Sequence, residues 1–116
     1  MSEEKHNHPL FPHATAESAK RKADLAPEQI KVWRKFSREV FKEGDLDKKT
    51  KELIAVAVAH VTQCPYCIKA HTKGSKKAGA TNEEIMEAIW VAAEMRAGAA
   101  YAHAGIALEE MEKVDQ

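Results

Sequence analysis

The sequence predicts an all-α protein of about five to six helices. Apolar residues recur at three- and four-residue steps along most of the chain, and no segment alternates apolar and polar residues as a half-buried strand does. Pro, Gly and Thr also fall where helices start and stop. At 116 residues the chain is expected to form one domain over 16–116. Much of its apolar content is alanine, so closely packed helices around a few large side chains are expected, with some burial completed between subunits.

Residues 1–15 contain His6, His8 and His13 and two prolines without periodicity, and read as a tail or arm. A metal site built from those three histidines is the rival reading. In "APEQIKVWRKFSREVFKEG", Ile30, Trp33, Phe36, Val40 and Phe41 form a helical stripe, Pro27 suits a first turn and Gly44 a stop. "LDKKTKELIAVAVAHVTQ" follows, with Asp47 as its candidate N-cap and an apolar run too continuous for a surface helix, so burial on most sides is expected.

Pro65 disfavours helical geometry at Cys64 and has no N–H for a continuing helix, so a new helix should open with Cys64 near its N-cap and Pro65 at its first position. That helix should stop at Gly79. Thr81 and Glu84 are spaced as a capping box, and the helix they open carries Ile85, Met86, Ile89, Trp90 and Ala93. The small-residue stretch "AGAAYAHAGIALEEMEK" predicts a final helix, bent or broken near Gly98.

Composition excludes several classes of function. With 18 basic and 18 acidic residues there is no electrostatic footprint for nucleic acid. No apolar run approaches the roughly 20 residues of a membrane span, and "MSEEKHNHPL" lacks an apolar signal region, so a cytoplasmic protein with no membrane partner is expected. Two cysteines in one motif do not make a secreted disulfide framework. In a reducing compartment they read as metal-binding or catalytic.

The chemistry centres on "HVTQCPYCIKAH". On one helix at about 100° per residue, Cys64, Cys67 and His71 share a side. Thiols in a first helical turn face unpaired backbone N–H groups and the positive end of the helix dipole, which favour the nucleophilic thiolate. A second cysteine can then close a disulfide, and a histidine can take the proton. His60, Cys64, Cys67 and His71 are also potential zinc ligands, but Pro65 places His60 on another helix, and a single helix cannot wrap a tetrahedral ion. A three-ligand site from Cys64, Cys67 and His71 stays open, as does a structural role for all three. Glu52 lies in a segment expected to be buried, where a carboxylate needs a partner. If the chain reverses at 62–64, Glu52 lies about 16 Å from the turn and His71 about 12 Å, a difference a long side chain spans. The alternative is an ordinary first-turn acid that complements the dipole.

"KELIAVAVAHVTQCPYCIKAH" resembles the core motif of the alkylhydroperoxidase D-like (AhpD-like) branch of the carboxymuconolactone decarboxylase family. "EGDLDKKT" and "KKAGATNEEIMEAI" extend the resemblance to roughly 26–112. It implies the AhpD-like helical fold, assembly as a homo-oligomer (trimer or hexamer), and a thiol-dependent oxidoreductase without cofactor or metal. The substrate would be a hydroperoxide or a partner's disulfide, with an external dithiol as reductant. It further implies Glu52 and His71 as a proton relay, Cys67 as the attacking thiolate and Cys64 as the resolving thiol, although a plain dipole argument reverses the two cysteines. The best-known AhpD proteins carry histidine where this chain has Tyr66, so Tyr66 is a candidate auxiliary residue. His103 is a possible substitute for that histidine, and His60 is a further auxiliary candidate. A decarboxylase-like lyase on the same fold, or a zinc-binding or structural module, are the rival functions.

Overall fold

The computed structural model describes residues 10–116. Apart from an isolated bridge at Phe11, all regular structure among them is helical. The helices are α1 (Ala16–Leu25), α2 (Pro27–Phe41), α3 (Lys48–Thr62), α4 (Pro65–Lys77), α5 (Asn82–Ala102) and α6 (Ala104–Asp115). Two compact units divide between Lys48 and Lys49. Of the N-terminal histidines, His6 and His8 lie outside the described residues, while His13 is exposed.

In the first unit, the Thr15 hydroxyl accepts the Ser18 N–H at 3.0 Å and so starts α1, a helix with no buried residue and no apolar stripe to mark it in the sequence. Pro27 opens α2 as expected. The helix ends at Phe41, before Gly44: the Lys42 N–H closes on the Arg38 carbonyl at 3.0 Å and Lys42 turns to extended geometry. Lys48 Nζ stands 5.5 Å from the Phe41 ring centroid, a cation–π contact across this loop. Trp33 and Phe36 pack with centroids 5.7 Å apart, yet Trp33 is 60% exposed.

The second unit holds the core, where Val56, Ala80 and Ile85 are buried against Leu53 and Ile89. Two ties fix the register of α3 and α5. Lys49 Nζ meets Glu84 Oε2 at 2.9 Å near the start of both helices, and Arg96 donates to the Val61 carbonyl at 2.6 Å further along both. Residues paired at the same sequence offset in two places mean that α3 and α5 run side by side in the same direction, and α4 returns between them in sequence. The α4 stop is a left-handed C-cap motif. Gly79 takes φ +95°, its N–H bonds to Lys76 O at 3.1 Å, and the Ala80 N–H bonds to Ser75 O at 2.9 Å. Thr81 and Glu84 then form the expected reciprocal capping box.

Two expectations need correction. α3 buries one face only: Glu52, Val56 and Ala59 are inside, while Ile54, Val58 and Val61 are exposed. A continuous apolar run does not distinguish burial within a chain from an outer apolar face. The chain also passes helically through Gly98 and breaks at His103 instead. One interior glycine costs about 1 kcal/mol relative to alanine, too little to end a helix whose neighbours Ala97, Ala99 and Ala100 favour it. On α5 the buried stripe is Ile85, Ile89 and Ala92; Met86, Trp90 and Ala93 face outward.

Candidate functional site

The site is built at the turn between α3 and α4. Gln63 ends α3 in the left-handed region at φ +59°, and the Cys64 N–H folds back onto Ala59 O at 3.1 Å. This turn brings Cys64 to the N-cap of α4 with extended backbone, and Pro65 follows at the first helical position. The Cys64 sulfur is therefore the capping group: it accepts the Cys67 N–H at 3.2 Å, and it lies 2.8 Å from the Cys67 sulfur in a thiol–thiol hydrogen bond. Both cysteines are reduced and partly buried.

These contacts separate two chemically identical groups. The thiol of Cys67 donating into the Cys64 sulfur, then the Cys67 backbone N–H, hold Cys64 below the ordinary thiol range; partial burial opposes them and the Tyr66 N–H assists. Cys67 is pushed up because its proton is held by the Cys64 sulfur, with burial and the neighbouring charge adding to the effect. The first thiolate of the pair belongs to Cys64. That is the order given by the dipole argument, and it differs from the order implied by the family resemblance.

Glu52 of α3 and His71 of α4 meet across the hairpin. His71 Nδ1–H donates to Glu52 Oε1 at 2.8 Å, with Glu52 only 6% exposed. Of the two readings of Glu52, the structure adopts the buried carboxylate partnered across a helical hairpin. Donation from Nδ1 places the lone pair of the neutral imidazole on Nε2, the nitrogen that can exchange protons. His71 stands one turn after Cys67 on α4, so the dithiol and the imidazole share one helix while the carboxylate reaches the imidazole from α3.

The auxiliary candidates are elsewhere or peripheral. His60 lies on α3, where its Nδ1–H donates to Val56 O at 2.8 Å, a bond within its own helix. Tyr66 stands between the cysteines with a partly exposed side chain. His103 is exposed at the junction of α5 and α6 and makes no side-chain capping bond. Among the described residues, no three His, Cys, Asp or Glu side chains are grouped as metal ligands. Lys69, Lys73, Lys76 and Lys77 form an exposed face of α4, and Lys76 Nζ reaches Asn82 Oδ1 at 2.8 Å.

Two contributors escaped the sequence reading. Gln63 supplies the left-handed turn that aims Cys64, a position where glycine or asparagine is the usual signal. Gly74 lies inside α4 against the Glu52 carboxylate. Its signal was a glycine at a helix-interior position, where the cost relative to alanine calls for a packing reason.

Comparison with known proteins agrees with this architecture. Residues 27–110 match the carboxymuconolactone decarboxylase family. A Paracoccus denitrificans protein described as "uncharacterized protein 4 in cox locus" is 70% identical over 80 residues, covering 69% of this chain and 72% of that protein. The alkyl hydroperoxide reductase AhpD of Mycobacteroides abscessus is 40% identical over 48 residues, covering 41% of this chain and 27% of that protein. That of Corynebacterium kroppenstedtii is 31% identical over 75 residues, covering 65% and 43%. The chain thus spans less than half the length of these two AhpD proteins. Among solved structures, an apo carboxymuconolactone decarboxylase family protein from Legionella pneumophila superposes with a TM-score of 0.67 at 36% identity, covering 86% of this chain and 89% of that one. The helical fold and the matched region together make this chain a member of the carboxymuconolactone decarboxylase family, in its AhpD-like branch.

Proposed function

We propose that the protein is a dithiol oxidoreductase that reduces a hydroperoxide and is regenerated by an external dithiol. The observation that carries this reading is the Cys64 sulfur at a helix N-cap, accepting the Cys67 N–H at 3.2 Å and standing 2.8 Å from the Cys67 sulfur. In the proposed cycle the Cys64 thiol first passes its proton to the His71–Glu52 pair, and the resulting thiolate attacks the terminal peroxide oxygen. An S–O bond forms, the O–O bond breaks, and the alkoxide leaves as the alcohol with a proton from the His71–Glu52 pair. Cys67 gives its proton to that pair and attacks the Cys64 sulfenic acid; the disulfide forms, and the hydroxide leaves as water with that proton. The external dithiol then reduces the disulfide by exchange. Each turnover oxidises one dithiol and reduces one peroxide. A partner disulfide in place of the peroxide would use the same thiolate.

The active form in this proposal is a homo-oligomer, a trimer or hexamer, in a reducing cytoplasmic compartment. Its support is the outward apolar face of Ile54, Val58 and Val61 on α3 and of Met86 and Trp90 on α5, with Trp90 68% exposed. Among the described residues no helix is long and apolar enough to cross a membrane.

Stopped-flow reaction with a hydroperoxide tests the proposal. The Cys64→Ser variant is expected to lose the fast phase, and Cys67→Ser to keep one fast turnover that ends in a sulfenic acid trappable by dimedone. A fast phase that survives Cys64→Ser and vanishes in Cys67→Ser reverses the roles, and no thiol-dependent reduction of peroxide or disulfide overturns the activity. Lactone decarboxylation surviving in the double Ser variant would favour the lyase reading. Light scattering that finds only monomer at micromolar concentration contradicts the assembly.

A further inference from the structure

We infer that Gly74 is a positioning residue for the Glu52–His71 pair: the bare backbone of α4 at this position is the seat on which the Glu52 carboxylate rests. Gly74 lies one turn after His71 on the same helix, and the carboxylate lies against both. A Cβ added at Gly74 would stand 2.5 Å from Glu52 Oε1, 2.8 Å from Cδ and 3.1 Å from Oε2. Ordinary contact needs about 3.5 Å, so the carboxylate would have to retreat by about 1 Å. Oε1, the atom met most closely, is the one that accepts the His71 Nδ1–H at 2.8 Å.

The conformation of Gly74 does not explain its presence, because it lies inside a regular helix, and Gly79 is the glycine with positive φ in this segment. In a helix interior glycine is worse than alanine. Here the space left by the missing side chain is filled by an ionisable group from α3. Glu52 ends a flexible chain, so it can yield to a methyl group without unfolding the helix pair. What it cannot do is yield and keep its bond, since His71 is fixed on the helix that carries the obstruction. The substitution therefore acts on the pair in preference to the fold.

The catalytic consequence rests on the proposed oxidoreductase reading; the structural consequence does not. Gly74→Ala is expected to abolish the downfield NMR resonance of the His71 Nδ1 proton and to slow thiol oxidation by roughly 10–150-fold, the scale of one charge-assisted hydrogen bond. In a Glu52→Ala background the seat is empty, so adding Gly74→Ala should change the rate less than twofold and raise the melting temperature, as alanine does in a free helix position. Persistence of the His71 resonance in Gly74→Ala, or equal effects of the substitution on melting in both backgrounds, would overturn the inference. If Gly74→Ala alone fails to fold, recovery of folding in Gly74→Ala/Glu52→Ala supports the seat and continued misfolding refutes it. If the wild type reduces neither peroxide nor disulfide, the proposed function fails, while the resonance and the melting cycle still decide the role of Gly74.

Discussion

Replacing Glu52 with Gln keeps the shape of the side chain and removes its charge, which isolates the electrostatic part of the proposed relay. The wild-type bond joins a carboxylate oxygen to His71 Nδ1 at 2.8 Å, with Glu52 almost wholly buried. The Gln carbonyl can accept the same N–H, so the ring should stay in place. A hydrogen bond to a charged group contributes about 1.5–3 kcal/mol against about 1 kcal/mol for a neutral one. The loss of about 1–2 kcal/mol of support for a proton arriving at the imidazole corresponds to roughly a 5–30-fold slower oxidation. Glu52→Ala, which removes the partner altogether, should approach the loss of roughly 10²–10⁴ typical of a missing acid–base group. Stability should move little in Glu52→Gln, because the weaker hydrogen bond is offset by no longer burying a charge. The assay is single-turnover oxidation followed by tryptophan fluorescence, with melting curves as a control. A rate within twofold of wild type, with the His71 Nδ1 proton still hydrogen-bonded, would refute the relay.

Other outcomes test the scaffold. The capping box joins the Thr81 hydroxyl to the Glu84 N–H at 3.0 Å and Glu84 Oε1 to the Thr81 N–H at 2.8 Å, so Thr81→Ala should cost about 1 kcal/mol by urea titration. The Thr81 N–H, then the Lys49 ammonium, hold the Glu84 carboxyl below its ordinary value. Its contribution is therefore present above the unfolded-state glutamate pKa and is lost as pH falls through the lower folded-state value, and the acid limb of the urea midpoint should flatten in Glu84→Gln. Gln63→Gly should raise stability by about 1 kcal/mol or less, since it removes the left-handed penalty of a side chain but adds unfolded-state freedom. A loss in that variant would show that the Gln63 side chain holds the turn in some other way.

Much of the local structure was legible in the residues themselves. Pro65 announces the start of α4, Gly79 its end, and Thr81 with Glu84 the start of α5, because each acts through its own backbone or one turn away. The Glu52–His71 contact was legible only as one of two alternatives. Spacing measured from the turn allows it, but the contact also needs an antiparallel return of α4 on α3, which no local signal encodes. The order of ionisation was less legible still: both cysteines lie in the first turn, and they part only because the Cys64 sulfur caps the helix and accepts the Cys67 N–H while the two sulfurs stand 2.8 Å apart. Ile54, Val58 and Val61 misled for a different reason. Apolar character records that a face avoids water, not which surface covers it.

The central claim is that Cys64 carries the reactive thiolate of the reduced dithiol. Site-resolved alkylation of the reduced wild-type protein, quenched across pH 5 to 11 and read by peptide mass spectrometry, tests it most directly. The account predicts that Cys64 reacts first, with a midpoint below that of an ordinary thiol, and that Cys67 follows with a midpoint above it. Equal midpoints at the ordinary value, or a lower midpoint at Cys67, would contradict it.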